Sequence, residues 1–351
     1  MKIVKTIPVP TGFIVVVEGD KGMLEFLSIG DYGKPVNLNP SEPVPDNPPL
    51  LPLTEKWVTT ISTQYGCSMG CQFCDVPAVG KGVNATLHDM QQQILMSLKL
   101  FPEVVYSNRF NVHYARMGEP TWNPNVLDHA KWLKDHVDPE YNVHPVLTTM
   151  MPSKNEWLKT AVHTWIRIKN RVYAGNAGFQ ISINSTDEDE RKRIFSGNAC
   201  TLLEISRMLE GAVPVGRRFT LNFPVAENWK IEPAVLLRYF DTERFLVKLT
   251  PLHQTKASNR FGHTTGQEHT APVAYAELEK AFKDAGYEVL VFIASDAEEQ
   301  SMITCGHAVL AQRKEPRTRI GDLVFIGGKA RGEEPFKPWS AKADAFETQH
   351  S

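Results

Sequence analysis

Three cysteines in one short loop constrain this chain more than any other feature. Cys67-Ser-Met-Gly-Cys71-Gln-Phe-Cys74 spaces them as C-x3-C-x2-C, with the aromatic Phe73 before the last. Three thiolates this close suit three irons of a four-iron, four-sulfur cluster, because soft sulfur ligands match Fe–S centres. The fourth iron is then open to a substrate or cofactor. A zinc site is the competing reading, but zinc takes four ligands, usually as two pairs. No partner pair of Cys-x2-Cys or His-x3-His type lies nearby. Three buried structural thiols are the plain alternative.

The rest of the composition bounds the setting. The 351 residues suffice for one large domain or two ordinary ones, and 42% are hydrophobic, enough for a substantial core. A formal net charge of -2 with 22% charged residues does not describe a broadly basic nucleic-acid binder. Five cysteines, three of them clustered and the others at Cys200 and Cys305, do not form a disulfide framework. Thiolates that ligate iron imply a reducing compartment. No apolar run is long enough to span a membrane and the first residues lack a signal-peptide core, so a cytoplasmic protein is expected, with no membrane partner.

Residues 1–35 read as a β segment, with Gly12-Phe-Ile-Val-Val-Val-Glu and Met23-Leu-Glu-Phe-Leu-Ser as hairpin partners about a Gly19-Asp-Lys-Gly22 turn. A proline-rich linker fills 36–54. From Trp57 the chain alternates strand and helix. Strands are expected at Trp57, Phe110, Val143, Gly178, Arg218, Phe245 and Tyr287. Pro145 argues against the third. Helices are expected over 87–100, 126–137, 157–168, 187–195, 202–209, 233–240 and 273–285. Such alternation predicts a parallel sheet in an α/β fold, a partial (β/α)6-type barrel over 55–312, whose catalytic loops gather at the strand C-terminal ends. Residues 313–351 read as a polar extension and tail.

The cysteine spacing is the signature of radical S-adenosylmethionine (SAM) enzymes, and its surroundings resemble one family more closely. Ile61-Ser-Thr-Gln-Tyr-Gly-Cys67, Arg116-Met-Gly-Glu-Pro120 with Asn123, Leu147-Thr-Thr-Met-Met151, Ile181-Ser-Ile-Asn-Ser185, Thr250-Pro-Leu-His253 and Ile303-Thr-Cys-Gly-His-Ala308 resemble, in order, segments of the RlmN/Cfr adenine C2/C8 methyltransferases. The resemblance covers about 55–312. It implies a radical SAM barrel holding a [4Fe-4S] cluster on Cys67, Cys71 and Cys74, with S-adenosyl-L-methionine on the open iron. It implies further that Phe73 packs on the adenine of SAM and Gly118 lets the backbone approach the cofactor. Glu119 accepts its ammonium, Ser182 bonds its ribose or carboxylate region, and Asn184 and His253 supply further hydrogen bonds. Cys305 matches the family cysteine that carries a methyl group, which a radical then delivers to an electron-poor carbon of adenine.

Departures from the family pattern bear on the substrate. Thr60 stands where the family has its other catalytic cysteine. Asn184 and His253 replace a His and an Asn, and a β segment with a proline-rich linker occupies the place of a helical RNA-binding domain. Cys200 is the spare cysteine and reads as structural. Arg191-Lys192-Arg193, Arg217-Arg218 and Arg313-Lys314 with Arg317 and Arg319 are possible phosphate contacts or simply solvated faces. His113, His144, His263 and His307 have no metal-ligand spacing.

Two enzymatic readings stand: methylation of a nucleobase carbon in RNA, DNA or a nucleotide through Cys305, or a radical SAM isomerase or C–C bond-forming reaction on a modified DNA base, nucleotide or peptide. Either needs an electron donor such as flavodoxin or ferredoxin. A cluster-bearing binding or redox-sensing protein is the non-enzymatic reading.

Overall fold

The computed structural model describes residues 1–31, 50–265, 273–294 and 296–312. The linker over 36–54 therefore lies largely, and the tail over 313–351 wholly, outside the described residues.

Among the described residues a ten-stranded sheet organises the chain, antiparallel over its first strands and parallel beyond them. Its first three strands, β1 (Lys2–Val9), β2 (Gly12–Gly19) and β3 (Gly22–Ile29), form an antiparallel meander. Strand β3 then pairs antiparallel with β4 (Trp57–Ile61). The expected hairpin thus has a third strand and is continuous with the main sheet. A two-stranded ribbon, β5 (Gln64–Gly66) with β6 (Lys81–Asn84), flanks the cysteine loop. Its glycine-rich sequence carries little strand propensity, which is why the pattern of apolar residues missed it.

The parallel part runs from β4 through β7 (Phe110–Tyr114), β8 (Val143–Thr149), β9 (Gly178–Ser182), β10 (Phe219–Val225) and β11 (Phe245–Pro251) to β12 (Val289–Val291). Six strand–helix repeats and a short seventh strand make the expected partial barrel, and among the described residues no pairing of β12 back to β1 closes it. Pro145 is tolerated because the β8–β9 ladder begins only at Val146, so β8 has one sheet neighbour at the proline.

The helices form where apolar spacing and caps coincide. Leu87–Lys99 starts at a capping box in which Thr86 and Asp89 satisfy each other's backbone N–H. Its buried face is mixed: Met90 and Ile94 pack beside Gln93 and Ser97. Ser97 Oγ donates to Ser28 Oγ at 2.8 Å and lies 2.6 Å from Thr59 Oγ1, while Trp57 Nε1 donates to Ser28 at 3.0 Å. A buried hydroxyl chain therefore registers this helix on the β3–β4 pair, where apolar spacing alone would give only a face. The helix expected over 233–240 is shorter, Pro233–Leu236, and continues as turns bonded to Val235 and Leu236.

One buried carboxylate joins distant parts of the chain. Glu25 of β3 is fully buried and pairs with the Arg116 guanidinium at 2.7 Å. It also accepts from the N–H groups of Val309 (3.2 Å) and Leu310 (2.9 Å), and Arg116 Nη1 donates to the Met302 carbonyl at 3.0 Å. Removing one partner of a buried pair strands the other charge, at a cost of about 3–5 kcal/mol. Glu25→Leu should lower urea-unfolding stability by about that amount. The double variant Glu25→Leu/Arg116→Met should recover most of the loss.

Candidate active site

The cysteine loop leaves β5 at Gly66 and is clamped from two sides. Asn198 Nδ2 donates to Met69 O (2.8 Å), Ser196 Oγ to Gly70 O (2.6 Å) and Gln72 N to Ile194 O (2.9 Å). On the other side, Thr255 Oγ1 donates to Phe73 O (2.9 Å), and Asp75 accepts from Ala257 N and Gln312 Nε2, each at 2.9 Å. Asp75 N donates to Gly306 O at 2.8 Å. This last bond seats the Cys305 loop on the cysteine loop. A Cβ at Gly306 would lie 3.1 Å from Phe73 O and 3.8 Å from Cys74 Cα, and its φ of +89° suits glycine. Residues more than 230 positions apart in sequence thus share one backbone contact.

The thiols sense each other. Burial pushes Cys67 up to about 12, and pushes Cys71 and Cys74 well above the ordinary thiol range. Neighbouring sulfurs add to this: Cys67, Cys74 and Cys305 act on Cys71, and Cys67 and Cys305 act on Cys74. Three such thiols become thiolates when a metal centre displaces their protons. Among the described residues no three His, Cys, Asp or Glu side chains form a ready single-ion site. The fit to a cluster rests on the donor chemistry, three soft sulfurs around one loop.

Other predicted site residues take more varied positions. Ser182 ends β9, 4% exposed, and among the described residues its hydroxyl has no hydrogen-bond partner. Asn184 follows at φ +65°, fully buried, with both amide atoms unpaired. Orphaned buried amides are rare and call for a ligand, so these two residues fit a polar cofactor at the strand end. Glu119 is already engaged: Oε1 accepts from Thr121 N (3.1 Å), Thr121 Oγ1 (2.7 Å) and Thr149 Oγ1 (2.7 Å), and Oε2 from Met150 N (2.9 Å). Burial raises its pKa despite these bonds, and only Oε2 keeps room for a further donor.

Two further predicted residues have close neighbours within the fold. Gly118, at φ +99°, makes its close approach to Gln64, whose Cβ would lie 2.6 Å from an added Cβ. Phe73 is 6% exposed and packs edge-on against Phe195 and Trp229, at 6.1 and 5.9 Å between centroids. Arg191, read as a possible phosphate contact, is 1% exposed and caps the carbonyls of Ile183 and Cys200. Cys200 itself lies in the main core. Arg313, Lys314, Arg317 and Arg319 lie outside the described residues.

A cavity of about 340 Å³ occupies the barrel lumen, at the small end of ligand pockets. Cys305, Gly306, His253 and His307 line one end, and the alternate residues of the strands line its walls: Thr60 on β4, Asn111 and His113 on β7, Thr148 on β8, Gln180 on β9, Asn222 on β10 and Lys248 on β11. Thr60 and Cys305 therefore face the same chamber. Cys305 is accessible within it yet deep in the protein, and burial raises its thiol pKa while Lys248 and Arg116 oppose the rise. The charged lining was not anticipated; its signal is a polar residue at every second position of otherwise apolar strands, as in Asn111 and His113.

A polar network carries the Cys305 loop. His253 Nδ1 meets Glu299, which also accepts from Gln254 N (2.9 Å) and Thr304 Oγ1 (3.2 Å). Thr304 Oγ1 in turn lies 2.9 Å from His307 Nδ1.

Comparison with known proteins follows the same lines. No protein-family model matches the chain. Over 265 residues it is 25% identical to the dual-specificity RNA methyltransferase RlmN of Sorangium cellulosum, 74% of this chain and 63% of that protein. It is 37% identical over 82 residues to RlmN of Campylobacter fetus, 23% of each protein. It is 34% identical over 76 residues to the ribosomal RNA large subunit methyltransferase Cfr of Lachnoclostridium phytofermentans, 21% of this chain and 20% of that protein. The chain resembles the RlmN/Cfr radical SAM methyltransferases. It spans less than two-thirds of the length of these relatives. A crystal structure of a radical SAM methyltransferase from Sphaerobacter thermophilus shares the fold, with a TM-score of 0.63 at 16% identity over 88% of this chain and 81% of that one.

The Glu299 carboxyl gives a test of the network. Burial alone would raise its pKa, but the hydrogen bond and charge of His253, with His307, push it down to about 2. A carboxylate depressed in the folded state stabilises above its unfolded value of about 4.5 and loses that contribution as pH falls through about 2. Glu299→Gln should therefore flatten the fall in urea-unfolding stability between pH 4.5 and pH 2 relative to the wild type.

Proposed function

We propose that this chain is a radical SAM enzyme that modifies a carbon of a nucleobase-type substrate by methyl transfer through Cys305. The observation that supports this most is the seating of Cys305-Gly306 directly on Phe73–Asp75, which brings the distant cysteine to the loop of three. In this reading Cys67, Cys71 and Cys74 hold a [4Fe-4S] cluster. Bound there, SAM supplies a carbon radical strong enough to act where no acid proton is available. Ser182, Asn184 and the free side of Glu119 Oε2 orient the cofactor, and His253 with Glu299 holds the Cys305 loop in place. Cys305 carries the methyl group into the lumen, whose size suits a base-sized guest. An electron donor such as flavodoxin or ferredoxin supplies the reducing electron. We read residues 55–312 as the catalytic body.

Thr60 favours a second reading. It lines the lumen wall beside His113, its register partner on β7, and a threonine cannot resolve a covalent intermediate as a thiol does. A radical SAM isomerase or C–C bond-forming reaction would use the same cofactor site without a methyl-cysteine cycle.

Anaerobic reconstitution with iron and sulfide should load a four-iron cluster, and Cys67→Ala should abolish it. Reductive turnover with SAM should give both S-adenosylhomocysteine and 5′-deoxyadenosine, with a methyl group on Cys305 in the peptide map. Production of 5′-deoxyadenosine with Cys305 unmodified would support the second reading. Full cluster loading of Cys67→Ala would overturn both.

A further inference from the structure

The lumen holds a lysine that has no ion-pair partner among the described residues. Lys248 sits mid-strand on β11 and lines the cavity. Among the described residues it has no hydrogen bond and no carboxylate in ion-pair range; its ammonium lies over the Phe292 ring, 5.3 Å from the centroid. Burial, with Arg217 and Lys56, lowers its pKa, while Cys305 and Asp31 oppose the fall, so an anionic guest would hold the charged form. The other lining cations differ. Arg116 is paired with Glu25 at 2.7 Å, and Lys56 with Asp31 at 2.8 Å. Arg217 lines the same cavity, and among the described residues its Nη1 donates to a backbone carbonyl alone, Asn176 O, at 3.3 Å. A cation–π contact offsets little of the cost of a desolvated charge.

The surroundings are arranged around this charge. Lys248 lies in register with Asn222 on β10, which lies in register with Ser182 on β9, so a polar row crosses the lumen wall. His113 on the same wall stays neutral: burial, then Lys248, Arg217, Lys56 and Arg109, push its pKa to about 3. A neutral imidazole among cations remains available as an N–H donor. Four basic side chains line the chamber, Lys56, Arg116, Arg217 and Lys248, against the carboxylates of Asp31 and Glu298, and this excess of positive charge favours an anionic guest.

We propose that the lumen binds its substrate through a small anionic group, a carboxylate or a phosphate, paired with Lys248 and reached by Arg217. The assignment rests on the lumen being the substrate chamber of the proposed enzyme, but the binding itself needs no radical chemistry. It narrows the substrate to an acid-bearing small molecule or nucleotide and disfavours a bare nucleoside.

The test is calorimetric titration of the anaerobic, cluster-loaded full chain with inorganic phosphate, adenosine 5′-monophosphate, malonate and adenosine. Repeating it on the chain without a cluster separates a failure of anion binding from a failure of the radical SAM reading. A phosphate-bearing probe or malonate should bind the wild type at least about tenfold more tightly than Lys248→Met, with a smaller loss in Arg217→Gln. Preference for phosphate or for malonate identifies the source of the anion. Adenosine should bind both forms equally. Lys248→Met should melt no lower than the wild type without ligand, since it removes an unpaired buried charge, and should lose the rise in Tm that the anion gives the wild type. Equal anion affinity in wild type and Lys248→Met would overturn the proposal. So would complete displacement of the anion by SAM, because Lys248 would then serve the carboxylate of the cofactor.

Discussion

The Glu25–Arg116 pair holds together the parts of the chain that build the lumen. Glu25 belongs to the N-terminal meander, Arg116 to the segment after β7, and the N–H groups of Val309 and Leu310 to the segment after Cys305. In a dry interior a carboxylate needs its full set of donors, and here those donors come from three regions far apart in sequence. The meander is therefore more than an appendage beside a barrel. Through Glu25 it fixes where the Cys305 loop returns, and the bond from Asp75 N to Gly306 O fixes that loop against the cysteine loop.

The strand register supplies the rest of the chamber. In-register parallel strands set alternate residues in layers on one wall, which brings Thr60 beside His113 and Asn222 beside Lys248. The apolar residues between them face the helices and form the main core. The same alternation thus serves stability on one side of the sheet and chemistry on the other. Polar residues in the lumen are costly where unpaired, and Lys248 and Asn184 stand out because the protein offers them so little compensation.

Much of this was legible in the sequence. Strand and helix periods predicted the α/β repeat, and the seven parallel strands follow it closely. The cysteine spacing marked the loop, and the order of motifs pointed to Cys305. The strand expected at Val143 forms despite Pro145, because the rule against proline in central strands assumes two neighbours, and β8 has one at that point. The contacts of Gly118 with Gln64 and of Phe73 with Trp229 were not legible, since a motif names residue types but not which neighbour they touch. The hydroxyl chain of Ser28, Thr59 and Ser97 and the carboxylate hubs at Glu25, Asp75 and Glu299 carried no sequence signal, because each joins groups from separate elements.

The sequence by itself determined the element types, the three-thiol donor set and the presence of a distant fourth cysteine, because these depend on local spacing and on the chemistry of the side chains. Only the tertiary structure decided that Cys305 meets the cysteine loop, that Cys200 stays in the core, and that Lys248 faces a cavity with no ion-pair partner among the described residues. Those outcomes depend on strand register and on which loops a buried carboxylate draws together, and neither is written in any local stretch of the chain.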